Sequence, residues 1–320
     1  MRFLAFAALP LSLALSVLMT FSAAHAAYPL TIEQPQGSVP LEQVPTRVAV
    51  FDLAMLDTLA ALGVEVAGVP AQVGPAHLQA FQDDRYARVG TLFEPDYAAL
   101  KALQPDLIII AGRSRAAYAQ LAEVAPTLDL TLSPDAFVDG MRANLQQLGT
   151  IFEKQQEAQQ LEAELQQALH DVQQKTRGLS SVTLFTINGR VMTHAPGERF
   201  GMLYELLGTQ STAEAGEAAP RGQARPEAGS AQALKLQQAQ RTRLDQALAQ
   251  QPDWLVVLDR GAATGGEGQA AETLGQDAAI AATQAWQQGK VYYLDPAAWY
   301  TATGGYQSVM KTLQEFGGKL

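Results

Sequence analysis

A ten-residue pattern occurs twice in this chain, 147 positions apart, and constrains the fold more than any other feature. Gln104-Pro105-Asp106 precedes the apolar run Leu107-Ile108-Ile109-Ile110, and Arg113 stands eight residues after the proline. Gln251-Pro252-Asp253 precedes Trp254-Leu255-Val256-Val257-Leu258, and Arg260 again stands eight residues after the proline. A short apolar run bounded by turn residues reads as a buried strand. Open α/β sheets bind ligands just beyond the carboxyl ends of their strands. The repeat therefore predicts two similar lobes, each placing one arginine where a ligand would lie. Two arginines facing one cleft suit an anion.

The pattern around the repeat supports an α/β chain with two Rossmann-like lobes and parallel-rich sheets. A strand over Arg47 to Phe51, a helix over Leu53 to Leu62 capped by Gly63, and a strand over Val64 to Val69 come first. A helix over Tyr97 to Leu103 feeds the Leu107–Ile110 strand, and Ala116 to Glu123 is helical. Phe137, Met141, Leu145 and Leu148 recur at helical spacing, with Gly149 as a breaking point. Lys154 to Arg177 lacks Gly and Pro and carries a stripe of Leu161, Leu165, Leu169 and Val172. Such a helix spans roughly 36 Å and predicts a rigid connector; a coiled-coil dimer helix is the other reading, although the stripe is short for one. Beyond Gly178 the expectations are a hairpin around Asn188-Gly189, a helix over Phe200 to Leu207, a late strand over Lys290 to Leu294 and a last helix over Gln307 to Phe316. Ala213 to Gln240 is poor in large apolar residues and reads as a mobile loop or insertion holding one helix. The resulting division is an N-terminal lobe over 27–153, a connecting helix over 154–178 and a C-terminal lobe over 179–320.

Met1 to Ala26 has the form of a cleavable secretory leader: Arg2 at its start, an apolar stretch from Leu4 to Phe21, and Ala24-His25-Ala26 as the cleavage site. This points to the periplasm, with a membrane anchor as the alternative. Cysteine is absent, so neither a disulfide nor a lipidated cysteine is available. Removing the leader takes Arg2 away and leaves 21 basic against 32 acidic residues, a net of −11. An acidic chain is a poor partner for nucleic acid.

Enzyme signatures are scarce. No Gly-x-Ser-x-Gly elbow, phosphate-binding loop or His-Glu-x-x-His pair occurs, and His77, His170 and His194 are the only histidines after the leader. The informative residues are arginines at turns: Arg113 and Arg260 after the repeat strands, and Arg199 within Ala195-Pro196-Gly197-Glu198-Arg199-Phe200-Gly201 at a helix start. A guanidinium keeps its charge and offers a planar fork of donors to catecholate, carboxylate or phosphate oxygens. The helix beginning at Phe200 would add positive potential. Trp299 and Tyr300, next to Gly304-Gly305, are candidate aromatic walls of a ligand cleft.

Several stretches together resemble one family. They are Val50-Phe51-Asp52-Leu53 with Leu56-Asp57-Thr58-Leu59, Gly112-Arg113, Pro196-Gly197-Glu198-Arg199-Phe200-Gly201, Asp259-Arg260-Gly261-Ala262-Ala263, and Val291-Tyr292-Tyr293-Leu294-Asp295-Pro296 with Trp299-Tyr300. The chain resembles the periplasmic ferric-siderophore-binding proteins of ABC importers whose lobes are joined by a rigid helix, in the type that binds ferric catecholates. The resemblance implies that Arg113, Arg199 and Arg260 hold the anionic complex. Some members complete the iron's coordination with a histidine and a tyrosine; Tyr300 matches the tyrosine. The histidine is missing: the corresponding stretch reads Arg221-Gly222-Gln223-Ala224, and an ungapped count places Gln238 there. Arg221 would then add a further positive charge. In related binders an acidic residue docks each lobe on the permease. Asp245 fits in the second lobe; in the first, Ala98 occupies the position, with Glu94 and Asp96 nearby.

The implied function is capture of a ferric catecholate siderophore and its delivery to an inner-membrane ABC permease with its ATPase. The protein would act as a monomer, without an intrinsic cofactor or a membrane-embedded segment, and ferric iron would arrive only within the ligand. Haem or a carboxylate siderophore is the alternative ligand. A secreted α/β hydrolase and a scaffold built on the long helix are the alternatives of other classes.

Overall fold

The computed structural model describes residues 28–216, 226, 227 and 229–320, so the expected leader and Arg221 lie outside the described residues. The first lobe opens with a β1 (Leu30–Gln34) and β2 (Gly37–Leu41) hairpin. It continues with β3 (Val48–Val50), α1 (Leu53–Ala61), β4 (Gly68–Val69), β5 (Ala87–Arg88), α2 (Tyr97–Leu103), β6 (Leu107–Ile110), α3 (Tyr118–Ala122) and β7 (Thr127–Asp129). Its sheet is parallel, in the order β5-β4-β3-β6-β7. Two helices, α4 (Phe137–Ile151) and α5 (Gln155–Lys175), lead to the second lobe.

That lobe contains β8 (Ser180–Ile187), β9 (Arg190–His194), α6 (Met202–Leu207), β10 (Gln210–Ser211), α7 (Ala231–Ala249), β11 (Trp254–Asp259) and α8 (Arg260–Ala263). Then follow α9 (Ala270–Gln276), α10 (Ala278–Ala281), α11 (Gln284–Gln287), β12 (Val291–Tyr293), α12 (Pro296–Thr301) and α13 (Tyr306–Gly317). Its strands run β10-β8-β11-β12 in parallel, and β9 pairs antiparallel with β8 through the Asn188-Gly189 turn. Both turn residues have positive φ, 50° and 69°, as a two-residue hairpin loop of this hand requires.

The two copies of the sequence repeat have the same local structure. Gln104 and Gln251 both take left-handed backbone, φ 50° and 52°, and the proline after each cannot extend the helix that has just ended. The aspartate of each copy then fixes the strand beside it. Asp106 accepts from the Thr46 amide and hydroxyl, both at 2.9 Å, and from the Arg47 amide at 2.8 Å, at the entry to β3. Asp253 accepts from the Ser180 amide at 2.8 Å and hydroxyl at 3.0 Å, at the start of β8. Since β3 pairs with β6 and β8 with β11, each copy sets the register of two central strands. Their carboxyl ends, and hence Arg113 and Arg260, are thereby aligned with the same edge of each lobe.

One apolar cluster runs through both lobes, and each lobe has a further cluster of its own on the other face of its sheet. The shared cluster runs from Val50, Ile109 and Leu128 through Leu145, Leu165 and Phe316 to Val256, Leu258 and Tyr292. Helix α13 is tied to the first lobe by the fully buried Asp57. Its carboxylate accepts from the Gln307 amide at 2.7 Å, and from the Ser308 amide at 3.1 Å and hydroxyl at 2.7 Å. These are the donors left open by the first turn of a helix.

Several expectations are corrected. The strand expected over Val64 to Val69 is confined to Gly68–Val69. Gly149 does not break α4: it lies inside that helix because α5 passes so close that a Cβ there would stand 2.5 Å from that of Ala158. Helix α6 begins at Met202 rather than Phe200, since the preceding residues form a tight turn. The one helix expected within Ala213–Gln240 is the start of α7, which runs on to Ala249 and is capped by Ser230, whose hydroxyl accepts from the Ala233 amide.

Candidate functional site

Each cleft arginine is delivered by a different local device. Arg113 follows β6 after Ala111-Gly112. Arg260 is the first residue of α8, directly after β11, and its neighbour Asp259 holds the loop in place. One carboxylate oxygen of Asp259 accepts from the Gly261 amide at 2.8 Å, and the other accepts from the Gln269 and Ala270 amides, both at 2.8 Å. Arg199 sits in a turn that only glycine permits at two points. Gly197 has φ +80°, and a Cβ on Gly201 would stand 2.1 Å from the Ala195 carbonyl oxygen. Glu198 locks that turn by accepting from the Ala195 amide at 2.9 Å and pairing with Arg243 at 2.8 Å. The acid beside Arg199 is therefore neutralised elsewhere.

Tyr300 comes from α12, which starts with Asp295 as its cap and Pro296 in its first turn. Consecutive helical residues point about 100° apart. Tyr300 accordingly faces the cleft while Trp299 faces the core. Trp299 is 1 % exposed, and its indole N–H donates to the Thr312 hydroxyl at 2.7 Å. The expectation that Trp299 lines the cleft is corrected on that ground.

The three arginines converge on one ring. The guanidinium carbons of Arg113, Arg199 and Arg260 lie 5.3, 5.0 and 5.6 Å from the Tyr300 centroid. Arg260 Nε donates to the Tyr300 hydroxyl at 3.0 Å, and Arg113 Nη2 donates to the Tyr300 carbonyl. Among the described residues, no carboxylate forms a salt bridge with any of the three. Burial alone would raise the Tyr300 phenol. The hydrogen bond from Arg260 and the charges of Arg260, Arg199 and Arg113 outweigh it and hold the phenol below its ordinary range. Burial and the charge of Arg199 pull Arg113 downward, against the opposing effects of Asp52 and Tyr300. Like charges held together with no carboxylate in salt-bridge contact among the described residues are unfavourable until an anion arrives.

Arg199, Phe200 and Tyr300 form a wall between two compartments. The first, of about 650 Å³, lies toward the N-terminal lobe and is lined also by Asp52, Met55, Phe93, Arg113 and Leu132. The second, of about 810 Å³, lies between the β8–β9 hairpin and the start of α7 and is lined also by Phe185, Ile187, Met192, His194 and Arg260.

Sequence reasoning missed three cleft residues. Phe93 stacks on Arg113, with the guanidinium carbon 5.7 Å from its ring, and lies in a loop with no periodic signal. Asp52 caps α1 by accepting from the Ala54 and Met55 amides, and its place in a matched stretch was the available signal. Burial raises its pKa, against the lowering effects of those bonds and of Arg113. His194, at the end of β9, packs edge-on against Phe185 and Phe200. Burial pushes its pKa down to about 4, so it is neutral at pH 7, and its Nε2 is buried without a hydrogen-bond partner among the described residues. Gln238 is exposed on α7.

The acidic docking candidates are on the surface. Asp245 pairs with Arg241 at 2.6 Å. Asp96 caps α2 by accepting from the Ala98 and Ala99 amides, and Glu94 is exposed beside Phe93. A Ser–His–Asp grouping also exists, outside the cleft. His77 Nε2 lies 2.8 Å from Asp57 and 3.5 Å from Ser308, but the Ser308 hydroxyl donates to the same carboxylate at 2.7 Å. Serine and histidine share one acceptor and Ser308 is buried, so the grouping fastens helices rather than activating a nucleophile.

The family model described as "Periplasmic binding protein" matches residues 48–298. Petrobactin-binding protein YclQ of Bacillus subtilis (strain 168) is 30% identical over 275 residues, covering 85% of this chain and 81% of the relative. Ferric-anguibactin-binding protein FatB of Vibrio anguillarum (strain ATCC 68554 / 775) is 27% identical over 288 residues, covering 88% and 84%. The crystal structure of YclQ superposes with a TM-score of 0.78 at 28% identity, covering 90% of this chain and 97% of that one.

Proposed function

Because this chain belongs to the periplasmic binding protein family, we propose that its cleft captures a ferric catecholate-type siderophore for delivery to an inner-membrane ABC permease. The observation that carries this reading is the convergence of three guanidinium groups on Tyr300, without a pairing carboxylate among the described residues. A ferric tris-catecholate carries about three negative charges, spread over oxygens that accept hydrogen bonds. Three arginine forks match both its charge and its acceptors. Relatives named for petrobactin and ferric anguibactin agree with a ferric chelate as cargo.

Tyr300 gives the site a second capability. A phenol held below its ordinary pKa is closer to the phenolate that iron accepts as a ligand. A hexadentate chelate needs no such ligand, whereas a tetradentate one leaves coordination sites open. Arg221, outside the described residues, would add charge if it reaches the cleft, but a guanidinium has no lone pair to give. Glu94, Asp96 and Asp245 are the acidic groups we assign to permease docking, the first two on one lobe and the third on the other.

Titration of the protein with ferric and iron-free catecholate siderophores, followed by tryptophan emission, tests the reading. Stoichiometric quenching by the ferric complex is the expected result. Equal response to a neutral chelate would overturn the charge argument.

A further inference from the structure

We propose that the second compartment is a subsite for an apolar arm of the ligand, so that the cargo is an amphiphilic ferric chelate: an anionic head with a hydrophobic extension. This rests on the reading of the arginine cleft as the head's site. Arg199, Phe200 and Tyr300 line both compartments, so a head held by the arginines lies against the wall of the second space. Cavities of this size each suffice for a small ligand, so the second exceeds what the head needs.

The lining shows what it would hold. Phe185, Ile187, Met192, Leu234 and Leu236 line it together with Arg190, Gln237 and Gln240, while the charges of Arg199 and Arg260 stand at the wall shared with the head's site. Leu234 and Leu236 are 57 % and 50 % exposed, among the most exposed large apolar side chains described. They belong to the part of α7 that, among the described residues, contributes no buried side chain: Leu244, Ala247 and Leu248, its buried residues, all lie in the last turns. Polar residues at both positions would serve equally well in water. Leu234 and Leu236 leave the helix on different sides yet both line this space, which shares Arg199, Phe200 and Tyr300 with the charged cleft, and they fit an apolar ligand group.

Two ferric tris-catecholates that differ only by an octyl chain on the chelator backbone test this in the full mature protein. The octyl complex should bind at least about tenfold more tightly at one-to-one stoichiometry, since two buried methylene groups already amount to that. In the double variant Leu234→Gln with Leu236→Gln, the ratio of the two Kd values should fall toward one. Equal Kd values in the wild type would overturn this inference while leaving the arginine site standing. So would two molecules of the octyl-free complex bound per chain, or a ratio unaltered in the double variant. Failure of both complexes to bind would overturn the arginine site and this subsite together.

Discussion

Replacing Asp57 by alanine tests whether the lobes are locked through their shared helix. Its carboxylate is fully buried and accepts two amides and one hydroxyl from the first turn of α13, with His77 Nε2 at 2.8 Å as a fourth partner. Hydrogen bonds to a charged group contribute about 1.5–3 kcal/mol each, but contacts on one acceptor are not additive. Removing the carboxylate also leaves the half-buried Gln307 amide and the buried Ser308 amide without an acceptor. The expected cost of Asp57→Ala is therefore about 3–5 kcal/mol, in the range for breaking a buried charged network. Asp57→Asn keeps one acceptor oxygen and should cost about half as much. Chemical denaturation with urea measures both. A cycle with Ser308→Ala should return a coupling of about 1 kcal/mol or more. A cost of less than about 1 kcal/mol for Asp57→Ala would refute the clamp.

Three further outcomes are expected. His194 is pushed down to about 4 from 6.5, so the unfolded chain binds its proton first. Stability should fall as pH drops from 6.5 toward 4, by roughly 3 kcal/mol, and be unaffected by this group above 6.5. A His194→Phe variant whose unfolding free energy has the same slope across that window would contradict this. The shared core and the Asp57 clamp predict that small-angle scattering changes little on ligand binding; a large contraction would count against them. Tyr300→Phe should leave hexadentate ferric catecholates nearly unaffected and abolish any phenolate-to-iron absorption band with tetradentate ones. Persistence of the band would assign it to another group.

The sequence repeat was legible because its causes are local. A left-handed glutamine and a proline that stops the helix act within a few residues, and they mark the strand start although the strand pinned by the following aspartate is distant in sequence. Arg113 and Arg260 follow from that alone, and Arg199 from a turn whose glycines are required by geometry. What was not legible depends on contacts distant in sequence. Trp299 and Tyr300 are adjacent, and only the orientation of α12 decides which faces ligand. Gly149 reads as a helix breaker until α5 is seen to need its missing side chain. Phe93 enters the cleft because the two lobes meet there, His194 lines the second compartment because β9 folds back on β8, and neither carries a periodic signal. A helix within 213–240 was expected but its bounds were not, since the first turns of α7 carry no buried residue to mark them.

The central claim is that converging arginines bind an anionic ferric chelate. Its most direct test is a tryptophan-quenching titration of wild type, Arg113→Ala, Arg199→Ala and Arg260→Ala with a ferric tris-catecholate. Trp299 is buried but adjoins Tyr300 in the chain, so a bound iron-catecholate chromophore can quench it without touching it. Each substitution should weaken binding by about 1.5–3 kcal/mol, the cost of one charge-assisted hydrogen bond, or roughly ten- to a hundredfold in Kd. Three variants that bind like the wild type would place the ligand elsewhere and contradict the account.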